Sequence, residues 1–282
     1  NRITDNALYN QSSVVTFNST TLAILADMPA DEECQTPREI IWEYYSYGKD
    51  HETKASKRLL IALYSGFGTY SRLLEMTGRV NRAYARYWKH DLVLVQGTLL
   101  RLPMLDGDCE PPPHRSDFNK IPLLHLALEK KKNYDQLLIL DTDAMIYDMD
   151  FDVTTLLPDG HMLAAQKVHP TDGMGPHTWD INDGVTLWDL HHPRTEKAAQ
   201  DWYKNSVAGM HTNWHPSNDQ YHLHDTLKTG KYEEHIHALS HEFNYGHGTI
   251  VKHFIRKPQH KQWGAAQILD SREDRIKAAI AE

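Results

Sequence analysis

The sequence predicts an α/β fold with a mostly parallel central sheet and helices on both faces. Two observations carry this expectation. Short apolar runs alternate with longer amphipathic segments in the order β-α-β-α-β, the pattern of strands joined by helical crossovers. The runs are also apolar throughout, as strands covered on both faces must be, and they stop in polar, turn-forming residues where open α/β sheets bind ligands.

Arg58-Leu-Leu-Ile-Ala-Leu-Tyr64, stopping at Ser65-Gly66, reads as the first strand. From Ser71 to Trp88 the residues Leu73, Leu74, Val80, Ala83, Tyr84 and Tyr87 recur near helical spacing, which predicts a helix with one apolar stripe despite Gly78. Asp91–Gln96 is the second strand. After a proline-rich loop, Phe118 to Lys132 reads as a helix with Ile121, Leu124 and Leu128 inward, and Gln136–Leu140 is the third strand. Beyond residue 160 the pattern loosens into short strands at His161–Ala165 and Gly184–Trp188, helices at Thr195–Lys204 and Asp219–Lys228, and a terminal helix opened by Ser271. Residues 1–57 are polar apart from Trp42-Glu-Tyr-Tyr-Ser-Tyr47 and read as a stem and lead-in; 58–282 reads as one catalytic domain with halves at 58–160 and 161–282.

The net charge of −8 argues against binding nucleic acid by neutralising phosphates. No apolar run approaches the roughly 18 residues that span a bilayer, so contact with a membrane is expected only through an anchor ahead of Asn1. Asn10-Gln-Ser12 and Asn18-Ser-Thr20 match the acceptor pattern for N-linked glycan and suggest the secretory pathway. Cys34 and Cys109 are the only cysteines, either one bridge or two free thiols.

Asp-X-Asp occurs four times, at 106–108, 141–143, 148–150 and 150–152. Only Asp141 and Asp143 directly follow a buried apolar strand. Residues two apart in extended backbone point to one side, so these carboxylates come together. At about 5 Å and an effective dielectric of ~20 they repel by roughly 3 kcal/mol, which a divalent cation reverses. Carboxylate oxygens suit Mn²⁺ or Mg²⁺, whose open positions a diphosphate fills.

Further blocks extend the pattern. Phe118-Asn-Lys-Ile-Pro-Leu-Leu124, Leu-Leu-Ile-Leu-Asp-Thr-Asp-Ala-Met-Ile146, Ile181-Asn-Asp-Gly-Val-Thr-Leu187, Ser217-Asn-Asp-Gln220 and His253-Phe254 follow in order. Together they resemble the family of fungal α-galactosyl- and mannosyltransferases and plant xyloglucan xylosyltransferases, which have the Rossmann-like GT-A fold. The resemblance covers about residues 58–257 and departs from the family at Asn119, where Ala is usual, and after His253-Phe254, where Gly-Cys is usual. It implies a metal-dependent transfer of a sugar, with retention, from a nucleoside diphosphate donor (UDP- or GDP-sugar) to a glycan hydroxyl. It places Asp141, Asp143 and His253 as metal ligands, Lys120 on the donor, and Asp219 and Gln220 beside the reacting carbon.

Arg256 and Lys257 follow His253 as cations fit to clamp a diphosphate, and Tyr64, Ser65 and Thr142 complete the expected donor side. Residues 58–160 are then the nucleotide-sugar half and 161–282 the acceptor half, where Trp179, Asn182 and Gly184 are candidate acceptor residues. An inverting enzyme needs a carboxylate base, and Asp183 or Asp219 would serve. Of the 19 histidines, 15 lie from residue 161 onward; pairs such as His191-His192 and His235-X-His237 lack the cysteines of a zinc site and are read as structural or solvated. Two other functions compete: a haloacid-dehalogenase-like phosphohydrolase, with Asp141 as nucleophile, and a catalytically silent sugar-binding protein. The favoured reading places the protein in the Golgi lumen as a type II membrane protein.

Overall fold

A computed structural model describes residues 40–48, 54–66, 68, 70–100, 113–168, 177–210, 219–239, 243, 247–255 and 265–282. The two sequons, both cysteines, Arg256 and Lys257 lie outside them. A seven-stranded sheet runs in the order β1-β3-β2-β4-β7-β6-β8. Its strands are β1 Ile41–Tyr45, β2 Leu59–Ser65, β3 Asp91–Gln96, β4 Gln136–Leu140, β6 Leu163–Lys167, β7 Ile181–Asp189 and β8 Ile236–Leu239. A two-stranded sheet pairs β5 Ala144–Ile146 with β9 Val251–His253. The helices are α1 Tyr70–Trp88, α2 Lys120–Glu129, α3 Thr195–Met210, α4 Asp219–Thr229 and α5 Ala265–Ala281.

All seven residues of β2 and all five of β4 are buried, so alternate side chains feed two cores. Leu60, Ala62, Leu137 and Ile139 meet Ile121, Leu124 and Leu128 of α2, Trp202 of α3 and Leu223 of α4 on one face. Leu59, Ile61, Leu63, Leu138 and Leu140 meet Leu74, Tyr84 and Ala85 of α1 on the other. Burial of these side chains is the main stabilising term, at roughly 1.5–3 kcal/mol each.

The three strands read from sequence, β2, β3 and β4, pair in parallel, as do β6 and β8. The sheet as a whole is mixed, because β7 runs antiparallel between β4 and β6. The lead-in region adds β1 as an antiparallel edge strand on β3. Past residue 160 the strands sit at shifted positions, Leu163–Lys167 and Ile181–Asp189. The terminal helix starts at Ala265, six residues before Ser271. Before α2 a 3-10 turn covers Pro113–Asn119, so the helix proper starts at Lys120.

The buried stripe of α1 also differs from the apolar reading. It runs through Leu73, Thr77, Asn81 and Tyr84, while Tyr87 is exposed. Two polar residues hold this inward face because they bond the backbone of the loop that carries Asp141 and Asp143. Thr77 Oγ1 donates to the Thr142 carbonyl at 2.8 Å. Asn81 donates to the Ala144 carbonyl at 3.1 Å and accepts from the Ile146 amide at 2.8 Å.

Candidate active site

Strands β2, β3 and β4 end on one side of the sheet, and the chain turns sharply after β4. The Asp141 amide donates to the Gly184 carbonyl at 2.7 Å, and the Ala144 amide to the Asp141 carbonyl at 2.9 Å. This fixes both carboxylates at the strand ends. The β5–β9 ladder then sets Ala144 opposite His253, and the Phe254 amide donates to the Asp143 carbonyl at 3.0 Å. The register carries His253 onto the carboxylates, its Nε2 3.1 Å from Asp143 Oδ1 and 3.5 Å from Asp141 Oδ2.

One ligand atom from each of Asp141, Asp143 and His253 lies within 4.8 Å of the others, the only such group of His, Cys, Asp or Glu among the described residues. Two carboxylates and an imidazole form a donor set that fits Mn²⁺. A Cβ at Gly184 would lie 2.2 Å from His253 Cε1 and 2.7 Å from Asp141 Oδ2, so only glycine leaves room for this trio.

Lys120 stands at the first turn of α2 with 2% exposure, and its Nζ lies 2.6 Å from Asp219, 2.9 Å from Asp183 and 3.3 Å from Asp141. Three carboxylates thus surround one ammonium. Burial would depress the Lys120 pKa, but Asp141, Asp183 and Asp219 keep it well above the ordinary value. Burial alone would raise Asp141; Lys120, then His253 and a hydrogen bond from the Tyr64 hydroxyl outweigh it and hold this carboxyl far below the usual range. For Asp143 burial is likewise outweighed, by Arg272 first and His253 second. Burial would lower His253, yet Asp143 and Asp141 outweigh it and lift its pKa to about 9.

Asp183 goes the other way. Burial, and then the neighbouring Asp219 charge, push it well above the carboxylate range against the pull of Lys120. Asp117 is pushed up to about 8 by burial and then Asp219.

These groups line a cavity of about 260 Å³. Tyr64, Ser65, Lys120, Asp141, Thr142, Asp143, Asn182, Asp183, Asp219, Gln220 and His253 all face it. Gly184 lies against His253 and Asp141, where its missing side chain makes space. Trp179 is not part of the lining; it stacks on His177 at 4.8 Å between centroids and carries the Lys228 ammonium at 5.4 Å. The structure adds Tyr70, Ser116, Asp117, Ile255 and Arg272 to the lining. Arg272 had a readable signal: it falls in helical register with the buried Ile276 and Ala279.

The departure at Asn119 also has a cause. Its side chain is fully buried, donating to the Gly97 carbonyl at 2.7 Å and accepting from the Leu99 amide at 2.7 Å. It pins the loop after β3 to the start of α2.

No family model matches the chain, and no curated protein matches it. Solved structures do. A glycosyltransferase involved in the glycosylation of the major capsid of PBCV-1 superposes with a TM-score of 0.53 at 14% identity, over 77% of this chain and 99% of that one. The apo form of the glycosyltransferase GlyE of Streptococcus pneumoniae TIGR4 gives 0.45 at 16% identity, over 80% of this chain and 64% of that one. The galactosyltransferase LgtC, in complex with donor and acceptor sugar analogs, gives 0.43 at 14% identity, over 76% and 95%. The first superposition, with the mixed sheet and its two helical layers, establishes an α/β fold of the GT-A type.

Proposed function

We propose that this protein is a metal-dependent glycosyltransferase, moving a sugar from a nucleoside diphosphate donor, a UDP- or GDP-sugar, to a glycan hydroxyl. The observation that carries the reading is the Asp141, Asp143 and His253 trio at the carboxyl ends of parallel strands, beside the acidic wall organised by Lys120. Glycosyltransferase activity in the structural neighbours supports it. The five sequence blocks support the narrower likeness to the fungal and plant family, and the two sequons support a place in the secretory pathway.

A divalent ion held by the trio, Mn²⁺ or Mg²⁺, would neutralise the departing diphosphate. The chain's own residues do the rest. Tyr64 and Lys120 fix Asp141, and the Phe254 amide holds the Asp143 carbonyl at 3.0 Å. Asp219 and Gln220 line the cleft where positive charge would develop on the sugar, and Lys120 holds Asp219 in place at 2.6 Å. The Asp183 amide donates to Gln220 Oε1 at 3.3 Å and orients that side chain in the cleft.

Asp183 and Asp219 both lie against the Lys120 ammonium, at 2.9 and 2.6 Å, so neither carboxylate stands free to act as a general base. This favours retention, in which the leaving phosphate takes the acceptor proton on the same face. A hydrolase using Asp141 as nucleophile is disfavoured, since Tyr64, Lys120 and His253 all engage that carboxylate. The test is a screen of UDP- and GDP-sugars for Mn²⁺-dependent thermal stabilisation and turnover. At least one donor is expected to give both; none doing so refutes the reading.

A further inference from the structure

We propose that Arg272 is the anion-binding residue of this cleft: its guanidinium takes oxygens of the donor's diphosphate once a divalent ion replaces it as the partner of Asp143. This rests on the glycosyltransferase reading and extends it to a helix outside the five sequence blocks.

Arg272 is only 8% exposed, yet its side chain lines the cavity. Its Nη1 lies 3.3 Å from Asp143 Oδ2, longer than the roughly 2.7–2.9 Å of a good charge-assisted hydrogen bond. Its Nε is buried and has no hydrogen-bond partner among the described residues. A guanidinium carries five N–H donors, and removing it from water is costly unless anions take them. A carboxylate already shared with His253 leaves most of that capacity unused. The planar fork fits phosphate oxygens, which a point charge such as lysine matches less well.

The mounting supports the role. Arg275, on the same helix, donates to the Phe254 carbonyl at 2.9 Å and the Ile255 carbonyl at 3.0 Å. Glu273 pairs with Arg72 of α1 at 3.0 Å, and Glu282 with Lys252 of β9 at 2.8 Å. These ties fasten α5 to the strand that delivers His253, so the guanidinium and the metal ligands share one frame. Arg272 lies 3.3 Å from Asp143; a cation held by Asp141, Asp143 and His253 would take over that balance and leave the fork to an anion.

The opposing effects on cation and anion give the test. Isothermal titration of the whole chain would measure Mn²⁺ alone, then UDP, GDP and uridine at saturating Mn²⁺, for wild type, Arg272→Gln and Arg272→Lys, with thermal melts confirming folding. Arg272→Gln is expected to weaken nucleoside diphosphate binding about 10- to 100-fold. It should also tighten Mn²⁺ alone, because a competing positive charge is gone, and leave uridine unchanged. Arg272→Lys should recover diphosphate binding in part. Unchanged diphosphate affinity in Arg272→Gln, or equal losses for UDP and uridine, overturns the assignment. If Arg272→Gln does not fold, wild-type diphosphate affinity in Arg272→Lys overturns it. Failure of the wild type to bind either nucleoside diphosphate overturns the underlying reading instead.

Discussion

Two buried acidic centres stand at opposite ends of the same parallel strands, and they are built to opposite rules. Asp91, at the start of β3, is closed off: the Tyr44 and Tyr134 hydroxyls donate to its Oδ2 at 2.6 and 2.7 Å, and the Tyr47 and Gly48 amides to its Oδ1 at 2.9 and 3.2 Å. Burial, and then the bond to Asp91, push the Tyr44 hydroxyl up to about 12, so it stays a donor. At the other end, beyond β4, carboxylates crowd one another around Lys120, His253 and Arg272, and Asp183 Oδ2 has no hydrogen-bond partner among the described residues. Satisfied buried charge holds β1 to the sheet. Crowded, partly satisfied charge marks a place reserved for something that is not protein.

Substitutions sharpen this contrast. The largest effect is expected from Asp143→Ala, which should lower Mn²⁺ affinity by more than about 100-fold, since even outer partners of a metal site are worth ~10- to 100-fold. That variant should also lose stability in urea unfolding, because Arg272 and His253 lose the carboxylate that balances them; a wild-type Mn²⁺ affinity would break the comparison. Asp91→Ala should spare the metal. It strands two amides but only one of the two hydroxyls, since these can still bond each other at 2.8 Å; it costs about 4 kcal/mol in urea unfolding and leaves Mn²⁺ binding unchanged.

His90, beside Asp91, is buried with neither ring nitrogen hydrogen-bonded among the described residues, and burial lowers its pKa from 6.5 to about 4. The unfolded chain therefore takes this proton first as pH falls. The stability linked to neutral His90 is complete above about 6.5 and is lost on descent to about 4, on the order of 3 kcal/mol. His90→Leu should flatten stability across that window in denaturant melts at stepped pH; an unchanged slope removes His90 as the cause. The smallest effect belongs to Asn119→Ala, which loses two buried hydrogen bonds at about 2 kcal/mol in urea unfolding.

Strands buried on both faces were legible because nothing but apolar residues fits there, which is why β2, β3 and β4 read clearly. The half-exposed β1 and the three-residue β5 and β9 carry no comparable signal. In α1, Thr77 and Asn81 hide the true stripe, since polar residues face inward to hold the Asp141 loop. The carboxylates and His253 were readable from motif blocks, and the structure brings them together through the β5–β9 register. Asp117 arrives by packing between distant segments, a relation local pattern does not encode, whereas Arg272 is readable from its helical register with Ile276 and Ala279.

The β5–β9 ladder also bears on which ion this protein would use. Of the three proposed ligands, His253 lies in that ladder and Asp143 is tied beside it through the Phe254 amide, so a cation would meet a set preorganised by backbone. Such a frame has little freedom to reshape itself around one preferred metal. Intrinsic affinity then follows the general order of divalent ions, in which manganese ranks below zinc and copper. The working ion would be decided less by the protein than by the supply of free metal around it.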